Sequence, residues 1–240
     1  MTTDRAPPGT EVPVEGGTAA GAETARRRWR RPLAPQRIDR RRGWREARFV
    51  SLDFETTGLD LRHDAVVSFG AVPVEGGRVI LPGALYGEVA PAAPLSAESI
   101  RVHELRPADL VGAPGPRSAR SMLAAALNRR FLLAWVAEVE VGFLARMFHM
   151  PRYVLRRRTV DVARLLVAFD RAEGRTPSRY VSLVNACRRF GVPLESPHHA
   201  LDDAVMTAEL FLVLATKLSA LGYPRVSGLL RETRRKPFEA

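Results

Sequence analysis

The residues Phe49-Val50-Ser51-Leu52-Asp53-Phe54 form a short apolar run that ends at Glu55 and a Thr56-Thr57-Gly58 turn. A run of this length bounded by a turn signal reads as a buried strand. Side chains alternate across a strand, so Asp53 and Glu55, two residues apart, project from one face. A carboxylate in such a run must be paired or must hold a metal, because burying it alone is costly. Two hard oxygen ligands at one strand end suit Mg²⁺ or Mn²⁺.

The rest of the chain supplies partners for that strand. Ala65 to Val74 and Arg78 to Val89 flank Gly76-Gly77, a hairpin signature. Pro73 and Pro82 direct these two strands toward an edge or a bulge. A short helix is expected after Ser96 and a longer one from Ser118 to Arg130. Phe131 to Val136 reads as a fourth buried strand, Glu138 to His149 as a helix, and Thr159 to Val162 as a brief fifth strand. Helices are expected near 162–172, 179–190 and 200–221, with Gly191 where the second should stop. Three antiparallel strands followed by alternating helix and strand predict an α/β fold, a mixed sheet flanked by helices. The folded domain is expected over 48–222, between an N-terminal tail (1–47) and a basic C-terminal tail (223–240).

With 240 residues, 46% of them apolar, there is enough material for one mid-sized domain. The single cysteine, Cys187, excludes an intrachain disulfide and a cysteine metal cluster, and is expected to be a buried, inert thiol. A reducing, cytoplasmic setting is expected. No apolar run reaches the roughly 18 residues of a membrane span, and no apolar signal core precedes the first arginines, so neither a membrane nor secretion is expected. Net charge is +11, and only Lys217 and Lys236 among the 37 basic residues are not arginine. Such a balance points to an anionic partner, nucleic acid first, although an arginine bias also fits GC-rich coding. Arg26 to Arg48 holds eleven arginines, with Trp29 and Trp44 among them. The expectation is a disordered arm that grips phosphates while its tryptophans stack on bases; the plainer alternative is a solvated linker.

A second acidic segment lies near the C-terminus. His198, Ala200, Leu201 and Asp203 form an H-x-A-L-x-D pattern leading into a helix, after Pro197. Asp203 falls in the first helical turn, where the macrodipole favours a carboxylate. His198 precedes it on the entering loop, where an imidazole can take a proton from water at neutral pH. Taken alone, the same stretch also reads as a helix cap.

Together these segments resemble the DEDDh 3′–5′ exonucleases, the family of the proofreading epsilon subunit of bacterial DNA polymerase III. The resemblance runs from about Phe49 to Leu218. Asp53-Phe54-Glu55-Thr56-Thr57-Gly58-Leu59 matches the first motif, and His198 to Asp203 the third. Leu95 to Leu105 is similar to the connecting segment, and Thr159 to Leu165 to the fifth strand and its helix. The second motif departs: aligning Ala137 and Phe143-Leu144 puts Trp135 and Val136 where the family has His-Asn, and Glu140 where it has an aspartate. Glu138 is expected to point elsewhere, because i and i+2 do not share a helix face. Asp161 is expected to cap the next helix. His63, His103 and His149 read as surface or structural residues without acid partners.

The resemblance implies a ribonuclease-H-like fold with a central five-stranded mixed sheet. It implies phosphodiester hydrolysis from a 3′ end with two Mg²⁺ (or Mn²⁺) ions. Asp53, Glu55 and Asp203 would hold one ion, with Asp53 and Glu140 near the other, and His198 would be the general base. Thr56 and Thr57 would offer donors to the terminal nucleotide, and Leu59 would wedge beside its base. The expected partner is a single-stranded 3′ end, DNA ahead of RNA, with a DNA polymerase or repair assembly as a further partner. Two alternatives stand beside this: an RNA-trimming, oligoribonuclease-like enzyme, and a degenerate nuclease fold kept as a nucleic-acid-binding or adaptor module.

Overall fold

The computed structural model describes residues 38–177 and 181–234. The expected arm before Ile38, with Trp29, and the segment from residue 235 onward lie outside them. Six strands form one mixed sheet: β1 (Arg48–Thr56), β2 (Val66–Glu75), β3 (Arg78–Val79), β4 (Leu85–Glu88), β5 (Phe131–Ala134) and β6 (Thr159–Asp161). The order is β3-β2-β1-β5-β6, with β4 also on β2. β1 pairs antiparallel with β2 and parallel with β5, and β5 pairs parallel with β6. The parallel strands β1, β5 and β6 therefore end at one edge, near Glu55, Ala134 and Asp161.

The expected third strand, 78–89, is broken in two. Pro82 sits in a single 3₁₀ turn, Leu81–Gly83, that separates β3 from β4, because proline cannot donate to a ladder. This break turns the five expected strands into six segments without changing the layout. Pro73 is tolerated inside β2 because the outer edge of β2 carries no full ladder there; its carbonyl accepts the Ile80 N–H at 2.9 Å.

Helices cover both faces. α1 (Ala97–His103) follows Ser96, whose side chain caps it by accepting the Ser99 N–H. α2 (Pro116–Ala126), α3 (Glu138–Met147) and α4 (Arg152–Arg156) follow. α5 (Val162–Ala172), α6 (Leu183–Phe190) and α7 (Ala200–Ala220) come next, and α8 (Val226–Glu232) closes the order. α7 crosses β1 and β2 and buries Met206, Leu210, Phe211, Leu214 and Leu218. On the other face, Leu123, Phe143, Leu144 and Leu155 pack beneath Leu52, Phe54 and Phe69. Among the described residues no helix is long and apolar enough to cross a membrane.

Both ends of the folded body reach past the expected 48–222. Trp44 is only 3% exposed; its ring meets Phe211 edge-on at 5.8 Å and its indole N–H donates to Ser219 Oγ at 2.8 Å. A ring so placed cannot stack on a base, which corrects the arm reading for Trp44. Residues 226–232, expected as tail, form α8, whose Val226, Leu229 and Leu230 join the same core. The two ends hold one another: Val226 N–H donates to Arg42 O and Ser227 N–H to Arg40 O. The isolated bridge Gly43–Arg225 completes the join.

Trp44→Ala removes a buried indole and its hydrogen bond, and is expected to cost about 3–5 kcal/mol. Denaturant unfolding reads this directly. A variant with wild-type stability would show that residues 43–47 are dispensable to the fold.

Candidate active site

The site grows from the end of β1. Asp53 lies opposite Gly70 of β2, and the β1–β2 register shifts between Glu55 and Thr56. An irregularity of this kind re-aims side chains beside active sites. A Cβ at Gly70 would lie 2.2 Å from Ala200 O and 2.3 Å from Leu201 Cα. Glycine here is what lets the first turn of α7 rest on the sheet. That turn carries Asp203, and the ligand oxygens of Asp53, Glu55 and Asp203 all lie within 4.8 Å of one another. The His198 N–H donates to Asp203 Oδ2 at 3.2 Å. His198 itself adopts a left-handed backbone, φ 65°, and leaves its imidazole exposed at the edge of the cleft.

The fourth acid arrives from α3. Glu140 is 4% exposed and faces the same cleft; its Oε2 is buried and has no hydrogen-bond partner. Glu138 points out of the cleft and pairs with Arg156 at 2.6 Å. Asp161 caps α5 by accepting the Arg164 N–H at 2.9 Å, and also accepts the Ala137 N–H at 3.2 Å. It thereby ties the end of β6 to the start of α3.

Crowding the acids together makes ionisation costly. Burial, then the charges of Glu140, Asp203 and Glu55, push Asp53 well above the usual carboxylate range. Burial and the Asp203 charge raise Glu55 to about 8. Glu140 rises through burial, a backbone hydrogen bond offsets part of this, and the charges of Asp161 and Glu55 add to the rise. Asp203 also rises through burial, with the His198 N–H pulling it back. A half-buried cluster of three carboxylates, with the partnerless oxygen of the buried Glu140 in the same cleft, fits a hard divalent cation, whose charge would reverse these shifts.

The acids line a cleft of about 540 Å³. Leu59 stands at its rim, 74% exposed, with Thr56 beside it. Thr57 does not serve as expected. Its N–H donates to Ala65 O at 2.9 Å and its hydroxyl to Asp64 Oδ1 at 2.8 Å, so both donors are already used. Thr57 positions the turn instead. Asp64 packs where a Cβ at Gly58 would sit, 2.5 Å from its Oδ2, and accepts the Asp60 N–H at 2.7 Å. Trp135 and Val136, at the departed motif, line the wall near Glu140.

One histidine reading also changes. His63 has an acid partner, Asp60, at 2.8 Å on the surface; the i, i+3 spacing was the available signal. His103 is buried in the cleft wall. Its Nδ1 accepts the Leu105 N–H at 3.1 Å, so the proton sits on Nε2, which is buried without a partner. His149, as expected, is exposed.

The raised carboxylates predict a pH dependence. The folded protein holds protons that the unfolded chain releases, so stability present below about pH 4.5 is lost as pH rises through about 8. Without divalent ions, melting temperature should fall across that window. Glu140→Gln should raise it at pH 8 and flatten the fall, and Mg²⁺ should stabilise the wild type most at pH 8. A flat profile in EDTA would contradict the cluster's electrostatics.

Comparisons with known proteins give the family and the fold. The sequence pattern of the family described as Exonuclease (RNase_T) matches residues 50–211, which include all four acids and His198. The DNA polymerase III subunit epsilon-like protein of Rhodobacter capsulatus is 32% identical over 199 residues, covering 78% of this chain and 26% of that protein. The PolC-type DNA polymerase III of Thermotoga maritima is 27% identical over 184 residues, 76% of this chain and 13% of that protein. The chain thus spans about a quarter or less of these relatives' lengths. Among solved structures, E. coli exonuclease I in complex with a dA16 oligonucleotide superposes with a TM-score of 0.62 at 15% identity, covering 73% of this chain and 42% of that one. Cell-death related nuclease 4 superposes at 0.57 with 13% identity, over 69% and 62% of the two chains. At these identities the superpositions speak for a shared ribonuclease-H-like fold, while the match over 50–211 settles the lineage: this chain belongs to the exonuclease family of nucleases.

Proposed function

We propose that the domain removes nucleotides from the 3′ end of single-stranded DNA. The observation that carries this is the convergence of Asp53, Glu55 and Asp203 within 4.8 Å, faced by the partnerless oxygen of Glu140. When bound there, two Mg²⁺ or Mn²⁺ ions would stabilise charge on the attacking and leaving oxygens. Asp53, Glu55 and Asp203 would hold one and Asp53 with Glu140 the other. His198, on its exposed turn, takes the proton of the attacking water. Leu59 offers an apolar edge to the terminal base, and Thr56 lies beside it to position the terminal nucleotide. The dA16 complex of exonuclease I supports a single-stranded DNA substrate, and the epsilon-like relative supports work alongside a DNA polymerase.

The direct test is degradation of 3′- and 5′-labelled single-stranded DNA and RNA, with Mg²⁺, Mn²⁺ or EDTA. Shortening of 5′-labelled DNA from its far end is expected, absent in EDTA and abolished by Asp53→Ala. Faster loss of RNA would favour an RNA-trimming enzyme. Inertness with every metal would favour an adaptor.

The role of Glu140 is separable from that of its neighbour. Glu140→Gln should lose several kcal/mol of transition-state stabilisation, on the order of a hundredfold or more in kcat/KM. Glu138→Gln breaks only an exposed pair with Arg156 and should be nearly silent. The reverse outcome would mean that Glu138 is the fourth acid.

A further inference from the structure

A basic surface lies beyond α3, the helix that carries Glu140. A small groove bordered by Glu138, Arg156, Arg164, Thr233 and Arg234 runs along the far side of α3. It adjoins a second groove of about 250 Å³ bordered by Arg40, Ser227, Leu230, Arg231 and Arg234. Arg234 belongs to both. Several of these arginines are neutralised: Arg156 by Glu138, Arg164 by Asp161 and Arg231 by Glu232. Among the described residues, no ion pair joins the lining arginines Arg40 and Arg234, or Arg157 beside them, to a carboxylate, yet the three are held close. Arg234 Nη2 donates to Arg157 O at 3.1 Å, and Arg40 is fixed by the Ser227 N–H on its carbonyl. Burial and the charges of Arg40 and Arg157 push Arg234 below the usual arginine range. Beside them Tyr153, 57% exposed, lies under the Arg157 guanidinium, 5.5 Å from ring centroid to Cζ.

Three clustered like charges repel one another unless an anion sits among them. An exposed aromatic ring next to that cluster adds a surface on which a base can stack, and the pairing of basic groove and stacking ring suits single strands. We propose that Arg40, Arg157 and Arg234 with Tyr153 form an accessory site for single-stranded nucleic acid, engaging the phosphodiester backbone 5′ to the nucleotide in the cleft. This rests on the exonuclease reading of the cleft. The arginines grip phosphates without reading bases, so the site serves strand length rather than sequence. The sequence ahead of Ile38 carries six further arginines between Arg26 and Arg37, outside the described residues.

The test uses the full chain in EDTA, where binding is read without hydrolysis. Fluorescence anisotropy compares a labelled strand of about 25 nucleotides with a duplex of equal length. The triple variant Arg40→Ala, Arg157→Ala, Arg234→Ala should bind the long strand at least about tenfold more weakly, and the slope of log K against log salt should fall by about 2. Its hydrolysis of a trinucleotide in Mg²⁺ should stay within about twofold of wild type. The corresponding lysine variant keeps the charges and should recover most of the long-strand affinity. Tyr153→Ala should weaken the long strand about five- to a hundredfold. Unchanged affinity and salt slope in the alanine variant would overturn the site, as would no recovery with lysine. Equal binding of the duplex, or an unaffected Tyr153→Ala, would overturn the single-strand assignment. A wild type that binds long strands through these residues but hydrolyses nothing would instead sink the exonuclease reading alone.

Discussion

The packing of the first turn of α7 on the bare backbone of Gly70 is the contact on which the site depends. It sets the height of the helix above the sheet at the residue opposite Asp53, and so brings Asp203 to within ligand distance of Asp53 and Glu55. The rest of α7 then has no freedom. Phe211 closes on Phe49 at 4.8 Å and on Trp44, and Ser219 accepts the Trp44 indole. The contact that assembles the acids is thus continuous with the one that closes the N-terminal edge of the core.

The acids make the site unfavourable when it stands alone. Four carboxylates whose proton affinities are raised by burial and, for Asp53, Glu55 and Glu140, by one or more of the others sit in a chain whose net charge is +11. The two facts act at different ranges. The overall positive field draws a polyanion toward the protein from a distance, while the cleft itself repels phosphate until cations fill it. On the proposed function, affinity and chemistry would be carried by different parts of the surface, the first by arginines spread outside the cleft and the second by carboxylates within it.

Much of this was legible in the sequence because the signals are local. The apolar run before Asp53, the alternation that places Glu55 beside it, and the helix entry that places Asp203 in a first turn all follow from short-range geometry. The offset of Glu138 from Glu140 follows from helical periodicity, and the capping by Asp161 from its position before α5. What escaped was set by contacts between distant segments. Trp44 sits among arginines in a stretch that reads as solvated, and only the α7 surface, more than 160 residues away, makes it core. α8 reads as basic tail because four of its seven positions are not strongly apolar, yet its Val226, Leu229 and Leu230 align on one buried face. Thr57 looked like a free donor because nothing nearby in sequence shows that the turn returns Ala65 and Asp64 to its two donors.

That turn is tied to the rest of the cleft by one side chain. Arg146, on the last turn of α3, donates to Leu61 O at 2.6 Å and to Asp64 O, and Gly142 on the same helix leaves space for Leu61, which a Cβ would meet at 2.6 Å. The loop that carries Leu59 and the helix that carries Glu140 are therefore clamped into a single unit. The width of the entrance and the reach of the fourth acid are one mechanical coordinate: a strand end seated against Leu59, as proposed, would bear, through the guanidinium of Arg146, on the position of a carboxylate it does not touch.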